Sequence, residues 1–301
     1  MNKKITNVFL IIGGALLLIG LVIAGVGLAR GGLKMVENKI EAYHDTHNGK
    51  NEPFVIDIDS SLQVGEKYTE TIDAAEISIK VKAANISIVN DSETYVETAN
   101  FRDGRISFAI DGDKVSVIDN DIYLDWSPFD SKVSVTGSVA EKIILHINAK
   151  EVKKVNIEVG AASIDLSGLN VTDELELTVG AGELNISEGS AEKLNLHIAA
   201  GEVVIENFAA KECKVELGAA AMIYDGTLGK KTEISVGTGT VELKLDGSVD
   251  DYYVEASVGL GGVSVAGREL GGLGQVKSGN SSAENRMKLE CGLGSISVDF
   301  K

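Results

Sequence analysis

A twelve-residue pattern repeats along the second half of the chain and constrains its fold more than any other feature. Apolar side chains recur mostly at the first, third, fifth, tenth and twelfth positions, and small residues separate the two groups. The seven copies are VNIEVGAASIDL (155–166), LELTVGAGELNI (175–186), LNLHIAAGEVVI (194–205), CKVELGAAAMIY (213–224), TEISVGTGTVEL (232–243), VEASVGLGGVSV (254–265) and MKLECGLGSISV (287–298).

The period of this repeat predicts a parallel β-solenoid. Successive copies start 19 or 20 residues apart, except for the last two intervals of 22 and 33 residues. Alternating apolar residues are typical of half-buried strands, and small residues allow a sharp corner between them. Two short strands cannot close a core alone, but coils stacked about 4.8 Å apart align their inward residues into ladders. A β-sandwich of hairpins is the alternative, but it requires frequent hairpin-turn signals rather than one corner in phase.

Residues 53–154 are predicted to form the first coil and an irregular β region, ahead of regular repeats over 155–301. An eighth copy, ISIKVKAANISI, spans 77–88 with Lys82 in place of the first corner glycine. Residues 108–118 read as a hairpin with Asp111-Gly112 in its turn. Residues 126–130 read as a surface loop, and 142–147 resume the strand alternation.

The N-terminal region contains a candidate membrane anchor. Residues 8–29 carry no charge and are long enough to cross a hydrocarbon core about 30 Å thick as a helix. We therefore predict an N-terminal tail over 1–7, one transmembrane helix over 8–29 and a juxtamembrane stalk or linker over 30–52. A cleaved signal peptide is the alternative, although its apolar region is usually shorter. Positive charges flank both sides nearly equally, so charge does not decide the topology.

The acidic composition and the outward residues narrow the classes of function. The formal net charge of −17 argues against nucleic acid as a partner, because binding a phosphate backbone requires clustered Lys and Arg. Outward positions of the repeats show no convergent set of acids, bases or ligands. We therefore expect no catalytic residues, no cofactor and no metal, and hence a protein that is not an enzyme.

Both cysteines fall at inward positions of the repeats. If the coils stack in chain order, Cys213 and Cys291 lie three coils, or about 14 Å, apart. Disulfide geometry requires Cα atoms within about 7 Å, so we predict two buried free thiols.

Three features are candidates for interaction. Val204 and Ile223 share an outward column with Asn185 and Glu242 and form a small apolar patch. The connection 266–286 is longer than the others, and reads as a disordered insertion or, alternatively, a binding loop. The last coil ends in Ile296, Val298 and Phe300 with no cap after it, which predicts an open edge for self-association or for a partner strand.

The apolar N-terminal segment and the repeated corner, as in Gly180-Ala181-Gly182, resemble the bacterial putative-adhesin family of β-strand-repeat proteins of unknown function. The resemblance covers roughly residues 54–301. It implies a surface or envelope protein and supplies no catalytic residues. Our first hypothesis is a non-enzymatic, single-pass cell-membrane protein with an extracellular β domain, acting as an adhesin or surface scaffold with a protein or glycan partner. The alternatives are an envelope-stress accessory that binds another membrane protein and, last, a polysaccharide-active enzyme.

Overall fold

The computed structural model describes residues 62–101, 104–120, 141–271 and 274–301, and most of them lie in β-strands. The strands are β1 (Gln63–Val64), β2 (Ala75–Asn90), β3 (Tyr95–Ala99), β4 (Ile106–Asp111), β5 (Lys114–Asp119), β6 (Lys142–Ile147), β7 (Val152–Leu245), β8 (Tyr252–Val265), β9 (Arg268–Gly271), β10 (Gly274–Gly279) and β11 (Asn285–Phe300). A single 3₁₀ turn, Val249–Asp251, precedes β8.

The regular repeats stack as parallel coils, which confirms the predicted solenoid. β7 runs without interruption through the five copies from 155 to 243, while β8 and β11 hold one copy each. The upstream copy at 77–88 lies in β2 and pairs in parallel with the first coil of β7. Apolar residues at inward positions are buried and form one continuous core, as Leu175, Leu177 and Leu184 illustrate.

The corner glycines are explained by the closeness of neighbouring coils. Gly182 has φ +147°, and a Cβ built on it would overlap the carbonyl oxygen of Ala162 in the coil below. The same overlap recurs at Gly201 and at Gly239. Because only glycine avoids both the overlap and the strained backbone, the repeated small-residue corner reports the coil spacing directly.

The end of the stack beyond β2 is built from two separate half-coils. β5 pairs in parallel with residues 76–80 of β2, and β6 pairs in parallel with residues 85–90. β4 covers β5, β3 covers β6 and β1 pairs with β3, all of them antiparallel. The β4–β5 pair is the predicted hairpin, with Gly112 at φ +61° in its turn. The predicted loop at 126–130 lies outside the described residues.

At the other end, the order of the coils in space differs from their order in the chain. β11 pairs in parallel with β7 on one side, where Met287 faces Thr232, and with β8 on the other, where Met287 faces Val254. The last coil of the sequence is therefore inserted between the two preceding ones. The 22-residue interval before the sixth copy includes a connection that bypasses the level of β11. The 33-residue interval before the seventh copy includes the connection that brings the chain back to that level.

The connection 266–286 forms strands rather than a disordered insertion, so that prediction was wrong. β9 pairs antiparallel with Val265–Gly262, and β10 pairs antiparallel with Val258–Tyr253. Both lie along the edge of β8 that β11 does not use. The physical reason is that β8 would otherwise leave its backbone groups unpaired, and this connection is the chain nearest to them.

The described part of the chain has no helix of the length and apolarity needed to cross a membrane. The segments predicted from the sequence as the tail (1–7), the transmembrane helix (8–29) and the stalk (30–52) lie outside the described residues. Those three predictions therefore stay predictions.

Candidate functional surfaces

The face that precedes the corner carries a ladder of alternating charges. At the second position of successive coils lie Lys214, Glu233, Lys288 and Glu255, and Lys277 of β10 completes the column. Stacked in chain order, the coils would instead place Glu233 directly against Glu255. Opposite charges facing each other across strands stabilise a sheet and like charges destabilise it, so this column favours the observed position of β11.

Short ion pairs within single coils reinforce the ladder. Glu290 accepts a hydrogen bond from Lys288 and is the main cause of the raised pKa of that lysine, with smaller contributions from its carboxylate neighbours on both adjacent coils. The within-coil pairs are Lys214–Glu216 at 2.8 Å, Lys231–Glu233 at 3.0 Å and Lys288–Glu290 at 2.9 Å. These exposed pairs each contribute little to stability, but they pair carboxylates with lysines instead of gathering them into a site.

The face that follows the corner carries the apolar patch predicted from the sequence. Val204 and Ile223 are half-buried and lie in one outward column between exposed Asn185 and Glu242. The 266–286 connection lies several coils away on β8 and does not cover them. Whether Val204 and Ile223 bind a partner stays a prediction.

The structure does not leave the last coil as an open edge. Ile296 pairs with Val241 and Val263, and Val298 pairs with Leu243 and Val265. Ile296 and Val298 are buried, and the half-buried ring of Phe300 lies 5.2 Å from the ring of Tyr252. The expectation of an edge at Ile296, Val298 and Phe300 was wrong because it assumed that coils stack in chain order.

A buried ionic cluster, which no sequence motif indicates, lies at the junction of the two half-coils. Arg105 binds both oxygens of Asp119, with Nε to Oδ1 at 3.0 Å and Nη2 to Oδ2 at 2.7 Å. Its Nη1 also donates to Glu141 Oε1 at 2.7 Å. These hydrogen bonds raise the pKa of the Arg105 guanidinium. Asp119 ends β5 and Glu141 precedes β6, so one arginine joins the half-coils at the position where the coils of β7 turn their small-residue corner.

A second polar cluster lies on the neighbouring pair of strands. His146 on β6 stacks on Tyr95 of β3 with ring centroids 4.1 Å apart, and Lys67 lies 4.1 Å from the same tyrosine centroid. His146 Nδ1 is 2.9 Å from Asp91 Oδ2, and Nε2 is 3.5 Å from Glu97 Oε2. The backbone N–H of Ser92, and then His146, lower the pKa of Asp91. The contact between Nδ1 and Asp91 and the ring stack on Tyr95 connect β6 to the β2–β3 turn and to β3 at this end of the fold.

The two cysteines are free and buried, as predicted. Their separation differs from the prediction, because the inserted β11 places Cys291 next to Val236 and so two levels from Cys213 instead of three. Burial raises the pKa of the Cys213 thiol to about 12 and also raises the pKa of Cys291.

Among the described residues, no three His, Cys, Asp or Glu side chains are grouped so that they could hold a metal ion. The fold and its surfaces define a class of protein: a capped parallel β-solenoid with one face of paired charges and another that carries a small apolar patch. The chain belongs to the Toastrack DUF4097 family, whose model matches residues 74–294.

Solved bacterial structures with low sequence identity resemble the chain. A "putative cell adhesion protein" from Clostridium sporogenes is 14% identical, with 80% of this chain and 99% of that chain covered and a TM-score of 0.33. A "putative adhesin" from Bacteroides fragilis is 12% identical, with coverage of 79% and 97% and a TM-score of 0.33. A "putative lipid binding protein" from Parabacteroides distasonis is 13% identical, with coverage of 79% and 97% and a TM-score of 0.27. A search of curated proteins gives no match.

Proposed function

We propose that this protein is a non-enzymatic surface scaffold, of the adhesin type, that presents the side faces of its solenoid to a protein or glycan partner. The observation that carries the proposal is the covering of both ends of the stack by antiparallel strands of the same chain. Covered ends disfavour growth by end-to-end strand pairing and leave the side faces as the extended surfaces for recognition.

The face that contains Val204 and Ile223 supports binding better than the face with the charge ladder. On the ladder face, lysines and carboxylates pair with one another, and a partner would have to displace those pairs. The Val204–Ile223 patch offers half-buried apolar side chains between polar neighbours, and burying them against a partner would be favourable.

Residues 8–29 are the proposed membrane anchor, with the β domain outside the cell. Support comes from their uncharged run of 22 residues, which has the length of a membrane-spanning helix. Family membership supports the β-solenoid fold of residues 74–294, but a fold alone does not assign a function.

The test expresses the full chain, with an epitope tag after Lys301, in a bacterial host. Protease added to intact cells should remove the tag if the β domain is exposed outside. The cells are then screened on glycan and protein arrays. A Val204→Lys/Ile223→Lys variant should lose captured ligands, whereas Thr178→Lys, a half-buried position on the other face, should keep them.

Two results would overturn the proposal. Complete protection of the tag on intact cells, with cleavage only after lysis, would exclude surface adhesion. Equal capture by the patch variant and by Thr178→Lys would exclude the patch as the binding surface. Crosslinking of a protected domain to an integral membrane protein would instead favour the envelope-accessory function.

A further inference from the structure

The three terminal strands β8, β9 and β10 depend on β11 for their place in the stack. Among the described residues, β8 has no partner in register on β7, and the sheet order runs from β7 to β11 and then to β8. In the same described part, β9 and β10 pair along the other edge of β8. If β11 leaves, the three strands lose their ladder to the solenoid and stay tethered by the connections 246–251 and 280–284.

The slot that β11 fills is defined by two parallel edges with a specific chemistry. One edge is the last coil of β7 and the other is β8, and each offers inward apolar positions and a glycine corner, Gly239 and Gly261. Glu233 and Glu255 project from opposite sides of the slot at the same register. A strand that fits must therefore carry alternating apolar residues and a glycine at the corner. A cation at its second position is favoured over an anion, although Lys231 and Lys277 already pair with the two glutamates.

The segment 287–298 meets these requirements with Lys288 between the two glutamates and Gly294 at the corner. A second copy of the chain carries the same segment, so it can make the same backbone and side-chain contacts in the slot. Exchanging an identical element between copies preserves those contacts, and the connecting segments take up the difference.

We propose that this slot is a strand-acceptor site and that β11 of a second copy can occupy it, forming a strand-exchanged dimer. The sequence predicted self-association through an open edge of the last coil, but strands of the same chain cover the coils at both ends of the stack. Strand exchange is therefore the mode of self-association that we propose instead. The exchanging segment would begin at Asn285, whose side chain is hydrogen-bonded both to β7 and to the turn before β8. Asn285 Oδ1 accepts from Lys230 N at 3.0 Å, and its Nδ2 donates to Asp251 O at 3.1 Å.

The experiment uses full-length chains, and the native Cys291 serves as the reporter. A donor chain carries Cys213→Ala, which leaves Cys291 as its one thiol. An acceptor chain carries Cys213→Ala, Cys291→Ala and Val236→Cys. Val236 is the register partner of Cys291, and adjacent strands about 4.8 Å apart suit a disulfide. The two chains, with different tags, are unfolded and refolded together and then oxidised.

Exchange predicts a donor–acceptor disulfide. A control acceptor with Val241→Cys, which faces Ile296 instead of Cys291, should give a several-fold lower yield. A donor with Lys288→Glu should also give less crosslink, because its strand opposes Glu233 and Glu255 and competes poorly with the acceptor's own β11. Equal yields for the Val236→Cys and Val241→Cys acceptors would overturn the proposal.

A second readout needs no substitution. Two wild-type chains with different tags are refolded together at high concentration and purified through one tag. Recovery of the other tag is expected, and its absence would overturn the proposal even if the cysteine variants fold poorly. Recovery of both tags, combined with no donor–acceptor disulfide from Val236→Cys chains that fold like wild type, would also overturn it, because the copies would then associate through another surface.

Discussion

Replacing Arg105 by methionine should destabilise the domain strongly. The substitution keeps an unbranched side chain but removes the guanidinium that binds Asp119 and Glu141. The Asp119 side chain is fully buried, and the Glu141 side chain is 8% exposed, so water cannot replace the lost hydrogen bonds. Two carboxylates would remain close together in a desolvated position.

The expected loss can be estimated from this geometry. Removing one partner of a buried ion pair costs about 3–5 kcal/mol, because the opposite charge that balanced it is lost. The backbone N–H of Lys82 still donates to Asp119 Oδ2 at 3.3 Å, but it carries no full positive charge. In a domain of this size, each kcal/mol lowers the melting temperature by about 2–4 °C, so a fall of about 6–20 °C is expected. The junction between β5 and β6 should loosen first, since Arg105 connects the end of β5 to the start of β6 there.

Thermal unfolding followed by circular dichroism measures this effect on the full chain in mild detergent. The matched control is the neutral triple variant Arg105→Met/Asp119→Asn/Glu141→Gln, which also removes both charges. It should recover most of the loss, because neutral groups of similar shape avoid the buried unpaired charge. A single variant within about 1 kcal/mol of wild type, or a triple variant as unstable as the single one, would refute the reasoning.

Three further predictions concern a corner, a thiol and a turn. Gly182→Ala should cost about 2–6 kcal/mol in unfolding free energy, from about 1–3 of backbone strain and about 1–3 of overpacking against Ala162. Gly168→Ala is the matched control, because Gly168 has φ +67° but nothing lies within 4 Å of a Cβ built on it, and it should cost only about 1–2 kcal/mol. If urea titrations gave the same loss of unfolding free energy for both variants, the explanation by overpacking would be contradicted. Cys213, with its pKa raised to about 12, should resist iodoacetamide at about pH 8 in the native chain and react once urea unfolds the domain. Rapid labelling of the native chain would instead show that the Cys213 thiol is accessible to solvent. Glu188→Gly should stabilise the domain by up to about 1 kcal/mol, because the exposed Glu188 has φ +54°, a conformation that glycine adopts without strain. A lower urea midpoint for the variant than for wild type would show that the Glu188 side chain makes a stabilising contact.

The coil itself was predictable from the sequence because its determinants are local and periodic. The alternation around Leu175 and Leu177 indicates a half-buried strand wherever the chain places it. The corner glycine at Gly182 marks a close approach of backbones, and the turn at Gly112 marks a hairpin. Each of these features requires only a few consecutive residues, so one sequence suffices to recognise them.

The polar clusters at the β2 end were not predictable, because their members are distant in the chain. Arg105 and Glu141 are separated by 36 residues, and His146 lies 55 residues from Asp91. No motif or spacing connects these residues before β5 and β6 take their places beside β2. The apolar patch at Val204 and Ile223 was predictable because the repeat assigns both residues to one outward column.

The sequence by itself determined that this protein is a stack of similar coils with an aliphatic core and glycine corners. Only the tertiary structure decided the order of those coils and the covering of their ends. The physical reason is that every coil presents nearly the same backbone edge and inward ladder, so the repeat allows any coil to stack on any other. Connection lengths and the alternation of Glu233, Lys288 and Glu255 distinguish the observed order, and both act only when distant segments meet.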